Sequence, residues 1–132
     1  MKKLILLLTI PTFLFYSCEK ENPTPSPNEL IQGKWKIILM GSTGDLRPYD
    51  APWIYEYYND SLLREYDTVI NAYTSHAKYT IDQEFLIRYY NYPEDTLIFT
   101  YKYEFYDKNS KLKLVHHDFI TTYSTTVYER LY

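Results

Sequence analysis

Apolar and polar residues alternate at every second position along a series of short segments, and no stretch repeats them at helical spacing. Period-2 alternation marks half-buried strands. The cleanest case spans residues 97–105. Leu97, Phe99, Tyr101, Tyr103 and Phe105 face one way, and Thr100, Lys102 and Glu104 the other. The series opens at residues 30–40, where Ile31, Gly33, Trp35, Ile37 and Leu39 are apolar or small, with Gln32, Lys34 and Lys36 between them. Gly33 removes a side chain from the face that carries the Trp35 indole, so another part of the chain can approach the backbone there.

Six further segments follow. Residues 53–58 form a second strand, and 61–66 a weaker third whose face is not assigned. In 73–81, Tyr73, Ala77, Tyr79 and Ile81 oppose Thr74, His76, Lys78 and Thr80. In 84–90, Phe85, Ile87 and Tyr89 oppose Glu84, Leu86 and Arg88. Residues 111–117 set Leu112 and Leu114 against Lys111 and Lys113, and 122–132 make the last strand. Turn residues separate the segments, and 41–52, with two glycines, two prolines and two aspartates, reads as a long loop. Eight short strands with short connections predict an all-β fold, an eight-stranded antiparallel up-and-down β-barrel. Tyrosine supplies 17 of 132 residues, so many inward positions must be tyrosine. Buried phenols need hydrogen-bond partners, which predicts a partly polar interior.

The start of the chain is different. Met1-Lys2-Lys3 precedes an apolar run from 4 to 16, then Ser17-Cys18. This is the pattern of a cleaved secretory signal, and the run is too short to span a bilayer. Cys18, the one cysteine, stands where the apolar run ends. Phe15-Tyr16-Ser17-Cys18 resembles a bacterial lipobox, with Phe15 where leucine is more usual. The resemblance implies a lipidated Cys18 as the first mature residue, carrying palmitate or a similar acyl chain, and leaves no disulfide. Glu19-Lys20-Glu21 resembles the surface-export signal of Bacteroidota lipoproteins. Pro23, Pro25 and Pro27 then alternate with polar residues, as in an extended tether of about 3 Å per residue. The expected organisation is a signal peptide at 1–17, the lipidated cysteine and linker at 18–29, and the barrel at 30–132. The expected location is the outer membrane, lipid-anchored, on its periplasmic or cell-surface side. Losing Lys2 and Lys3 leaves 12 of the 14 cationic residues against 17 acidic ones, a net charge of −5. An acidic domain without a basic run is a poor candidate for nucleic acid.

Gly33-Lys34-Trp35 on the first strand, a long first loop, eight alternating strands and a late Arg130 together resemble the lipocalin superfamily. They resemble more closely the small lipocalin-like lipoproteins of Bacteroidota. That resemblance implies that Trp35 closes the barrel floor and that Arg130 stacks on it by cation–π attraction. It departs from the family in ending at Tyr132, where no residues remain for a helix after the last strand, and in having no clear Thr-Asp-Tyr motif. Fatty-acid-binding proteins share Gly-x-Trp and end in Arg-x-Tyr. Thr126-Val127-Tyr128 keeps the tyrosine and lacks the arginine. The inferred inner faces of the first, second, fourth and sixth predicted strands carry no lysine or arginine. A fatty-acid anion deep inside is therefore not expected, since a buried carboxylate needs a cationic partner.

The expected activity is binding, with no reaction and no cofactor. One form of it places a small apolar or weakly polar ligand among Ile37, Tyr55, Tyr57, Tyr79, Tyr101 and Tyr103. The alternative is a filled barrel that contacts a protein or glycan through Tyr58, Tyr90, Tyr92 and the 41–52 loop. His116 and His117, adjacent on a strand, point to opposite faces and cannot grip one metal from one face. No catalytic spacing appears, so neither an enzyme nor a metal site is expected. Asp60-Ser61-Leu62, Asp67-Thr68-Val69 and Asp95-Thr96-Leu97 resemble the O-glycosylation site of Bacteroidota, which makes Ser61, Thr68 and Thr96 candidates. Ordinary turn chemistry also explains them.

Overall fold

The computed structural model describes residues 23–117 and 125–132. The signal segment, Cys18 and the Glu19-Lys20-Glu21 cluster lie outside the described residues. So do residues 118–124, which include the start of the predicted last strand.

Among the described residues nine strands form one antiparallel sheet: β1 (Gly33–Ser42), β2 (Asp45–Pro48), β3 (Trp53–Tyr57), β4 (Leu62–Asp67), β5 (Ala72–Ile81), β6 (Phe85–Asn91), β7 (Thr96–Tyr106), β8 (Lys111–His116) and β9 (Thr125–Leu131). From β3 to β9 each strand pairs with its successor, and β9 pairs back onto β1 from Lys34↔Leu131 to Gly41↔Thr125. The result is a closed eight-stranded barrel with one extra strand, β2, alongside β1. On its other side β1 divides. Gly33 to Lys36 pair with β3, and Leu39 to Ser42 pair with β2.

The predicted 41–52 loop thus contains a short hairpin. Gly41 makes it possible, because a Cβ there would stand 2.1 Å from the Asp45 carbonyl oxygen. β2 spans four residues, too few to carry a readable alternation.

A second departure lies before β1. The proline-rich segment ends in one turn of helix, α1 (Pro27–Ile31), where a linker and the first strand were expected. Ser26 caps it: its hydroxyl accepts from the Glu29 amide, and the Glu29 carboxylate accepts from the Ser26 amide. Pro27 fits the first helical position, where its missing N–H costs nothing. α1 covers one end of the barrel and buries Ile31 completely.

Register fixes which residues face inward. From Trp35 the ladder runs through Tyr55, Glu65 and Ser75, and from Arg88 through Tyr79 and Phe99. At the α1 end Trp35, Leu63, Leu86, Leu112 and Leu114 are at most 1% exposed. This half of the barrel is filled by its own side chains. Toward the other end Tyr55, Glu65, Ser75, Tyr90, Phe99, Tyr101 and His116 are half-buried.

One register detail overturns an expected face, and another supplies a face that the sequence left unassigned. A bulge in β5 makes Tyr66 pair with Tyr73 directly after Glu65 pairs with Ser75, so Tyr73 turns outward, away from the face of Ala77 and Tyr79. In β6 the inward face carries Leu86, Arg88 and Tyr90. Arg88 is only 3% exposed, so the barrel does hold an internal cation.

Candidate functional site

The sealed end comes first in the chain. The Arg130 guanidinium lies 4.4 Å from the centre of the Trp35 ring. Its Nη1 donates to the Gln32 carbonyl at 2.7 Å, its Nη2 to the Leu30 carbonyl, and its Nε to the Asn109 carbonyl at 3.3 Å. The Trp35 indole N–H donates to the Ile31 carbonyl at 2.7 Å. The last carbonyls of α1, which have no partner within a helix, are therefore taken up by the two side chains that close the barrel. Gly33 adopts φ +116°, and a Cβ there would meet Arg130 Nη1 at 3.3 Å. The guanidinium is what approaches the backbone at that glycine.

The middle of the barrel holds Arg88. Four tyrosine rings surround its guanidinium, with centroids 5.1 Å away for Tyr55 and Tyr101, 5.5 Å for Tyr57 and 5.6 Å for Tyr128. Nη2 donates to the Tyr57 hydroxyl and, at 3.4 Å, to the Tyr128 hydroxyl. Nε is buried and has no hydrogen-bond partner among the described residues. Among the described residues no carboxylate forms an ion pair with Arg88; the inward acid Glu65 instead accepts from the Tyr90 hydroxyl at 2.5 Å. Burial pushes the Tyr55, Tyr57 and Tyr90 phenols well above their ordinary pKa and raises that of Tyr101, so they stay neutral. Arg88 is thus a fixed positive charge in a cage of neutral rings.

The wall opens beside this cage. β5 and β6 pair only from Ile81↔Leu86 to Lys78↔Tyr89. Above that pair β5 runs on against β4, and β6 against β7. The gap is a concavity of about 380 Å3 lined by Thr74, Ser75, His76, Tyr90, Asn91 and Tyr92. Ser75 Oγ is buried there without a partner among the described residues. Tyr90, bonded to Glu65, stands at the gap, and Arg88 is the next inward residue of the same strand.

All six candidate lining residues face inward. Ile37, Tyr57 and Tyr79 are buried, while Tyr55, Tyr101 and Tyr103 are half-buried. Tyr79 donates to the Tyr58 carbonyl at 2.5 Å, and burial lifts its pKa to about 12. The proposed surface tyrosines separate. Tyr92 is exposed, Tyr90 is turned inward, and Tyr58 is held to Glu56 at 2.5 Å. Ser61, Thr68 and Thr96 are all exposed at strand ends. Thr68 donates to the Pro52 carbonyl at 2.9 Å and Thr96 to Asn91 at 3.1 Å. His116 packs on Phe99 and Tyr101, and His117 on Phe85. Among the described residues no cluster of three His, Cys, Asp or Glu side chains could hold a metal ion. Sequence reasoning missed Arg88, because Leu86-Ile87-Arg88 gives no pattern that says which face is inner.

No family model matches this chain, and no curated protein matches it. The topology alone is consistent with a lipocalin-like fold.

A second carboxylate is buried on the outer face. Glu56 is 5% exposed and accepts from Tyr58 and from Tyr73 at 2.9 Å, with Lys34 Nζ at 3.1 Å. Burial would raise its pKa, but these three donors win and hold it below 4.5. A folded pKa below the unfolded one stabilises above about pH 4.5 and is lost as pH falls through the folded value. Glu56→Gln is expected to lose about 1–2 kcal/mol near neutral pH, the scale of a charged hydrogen-bond acceptor. Urea unfolding of both proteins should show that difference shrinking as the pH is taken below 4.5. A constant difference would mean that the Glu56 charge is not what the donors stabilise.

Proposed function

We propose that this protein is a lipid-anchored binding barrel of the outer membrane, held through Cys18 and taking a small, largely apolar ligand into its open half. The observation that carries the reading is the gap between β5 and β6, which gives access to a half-buried aromatic interior while the α1 end is sealed. An eight-stranded barrel is wide enough for one small ligand. α1 joins the tether at the sealed end, so anchoring through Cys18 would turn the gap away from the lipid surface.

Titrating the purified full-length protein with a neutral apolar dye such as Nile red tests this. Saturable binding at one site is expected, and Ser75→Trp should abolish it by filling the gap. No saturable binding would end the reading. It would favour the second one, contact with a protein or glycan at the cell surface. That reading is supported by exposed apolar residues at the end opposite α1, with Val69 78% and Ile70 62% exposed and Tyr92 exposed nearby.

A further inference from the structure

We infer that Arg88 is an internal recognition point for a monoanion, and that the ligand of the open half is an apolar body with a single negative headgroup. This rests on the reading of the barrel as a binding protein and adds the chemical class of what it binds. The inference starts from an imbalance. A buried guanidinium is costly unless it is paired and fully hydrogen-bonded. Among the described residues Arg88 has neutral rings around it, two phenol hydroxyls on Nη2 and nothing on Nε. An anion placed against Nε and the Tyr55 and Tyr101 hydroxyls would supply the missing charge and the missing acceptor together. Tyr55 and Tyr101 are the half-buried rings of the cage, so they are the ones that can yield to a headgroup.

Access and charge number follow from the same residues. The gap between β5 and β6 reaches Tyr90, and Arg88 lies one inward position beyond it on β6. Ser75, with its unpartnered hydroxyl, lines the route. Glu65 stands beside that route, fixed by Tyr90. One guanidinium with no carboxylate paired to it among the described residues takes one negative charge, and the Glu65 carboxylate beside the route disfavours a dianion such as a phosphate monoester. The half-buried Phe99, Tyr101 and Tyr55 give an apolar body somewhere to lie.

Two sources share this chemistry: a headgroup on an apolar chain, or a small inorganic anion such as chloride. Calorimetric titration of the full-length protein with dodecanoate and with dodecanol at pH 8 separates them. Wild type should bind dodecanoate about tenfold or more tightly than dodecanol, as a charge-assisted hydrogen bond would give. Arg88→Gln should bind both alike, and Arg88→Lys, which keeps the charge, should retain most of the preference. Thermal unfolding in chloride against gluconate at matched ionic strength forms the second arm. Chloride stabilisation that is absent in Arg88→Gln, without any dodecanoate preference, supports the anion site and assigns it to an inorganic ion. Saturable but equal binding of the two amphiphiles, with no chloride effect, overturns the inference and leaves the cavity reading intact. Binding of neither amphiphile, with no chloride effect, overturns both.

Discussion

Trp35→Ala is expected to lower stability by about 3–5 kcal/mol, the range for removing a fully buried large aromatic side chain. That is a fifth or more of the about 5–15 kcal/mol that holds a typical domain together. The indole is 0% exposed, packs 6.1 Å from Phe105 and carries the Arg130 guanidinium on its face. Its N–H is also the partner of the Ile31 carbonyl. Alanine would leave a cavity, an orphaned carbonyl and a guanidinium without its ring. Urea denaturation should show the midpoint fall with little change in slope. Trp35→Phe separates the contributions if the alanine variant does not fold. It keeps an aromatic ring and loses the donor, so about 1–2 kcal/mol should go. A cost under about 1 kcal/mol for alanine, well short of a core truncation, would show that this end is not what holds the barrel shut.

That end was legible in the sequence because its signals are local. Gly33 and Trp35 share a face two residues apart, and a glycine next to an indole announces a close approach before one knows what approaches. The clean alternation of β7 likewise placed Phe99, Tyr101, Tyr103 and Phe105 on one face. Elsewhere the pattern was broken by non-local geometry. The bulge opposite Glu65 and Tyr66 shifts β5 by one residue, and a shift of one reverses every side chain beyond it. Tyr73 therefore leaves the interior and bonds Glu56 on the outside. α1 was hidden by three prolines that favour an extended chain, although Ser26 and Glu29 already spell a capping box. Arg88 was hidden for a different reason. Both faces of β6 are rich in large side chains, and the usual rule puts an arginine outside. Nothing near it in the sequence says that four tyrosines from β3, β7 and β9 will converge on it. The gap in the wall was equally out of reach, since it depends on where β5 and β6 stop pairing.

Arg88→Met is the variant in which function and stability should part. Methionine keeps the length of the side chain and packs well against aromatic rings. The wild-type residue gains four cation–π contacts, each about 0.5–2 kcal/mol, and one or two hydrogen bonds. Against these stands the desolvation of a full charge, several kcal/mol even after relaxation. Among the described residues Nε has no partner and no acid is paired with Arg88, so the charge lacks the partner that normally repays that cost. The swap is therefore expected to raise stability by about 1–2 kcal/mol, as when buried ions give way to apolar residues elsewhere. The same protein should lose any preference for dodecanoate over dodecanol. Urea midpoints for the two proteins in anion-poor buffer check the first half, and the paired titrations check the second. A gain in stability with a loss of discrimination is the signature of a residue kept for a ligand against the interest of the fold. A fall in stability of similar size would show that the rings and phenols meet the whole cost of the charge, and Arg88 would then need no ligand to explain its place.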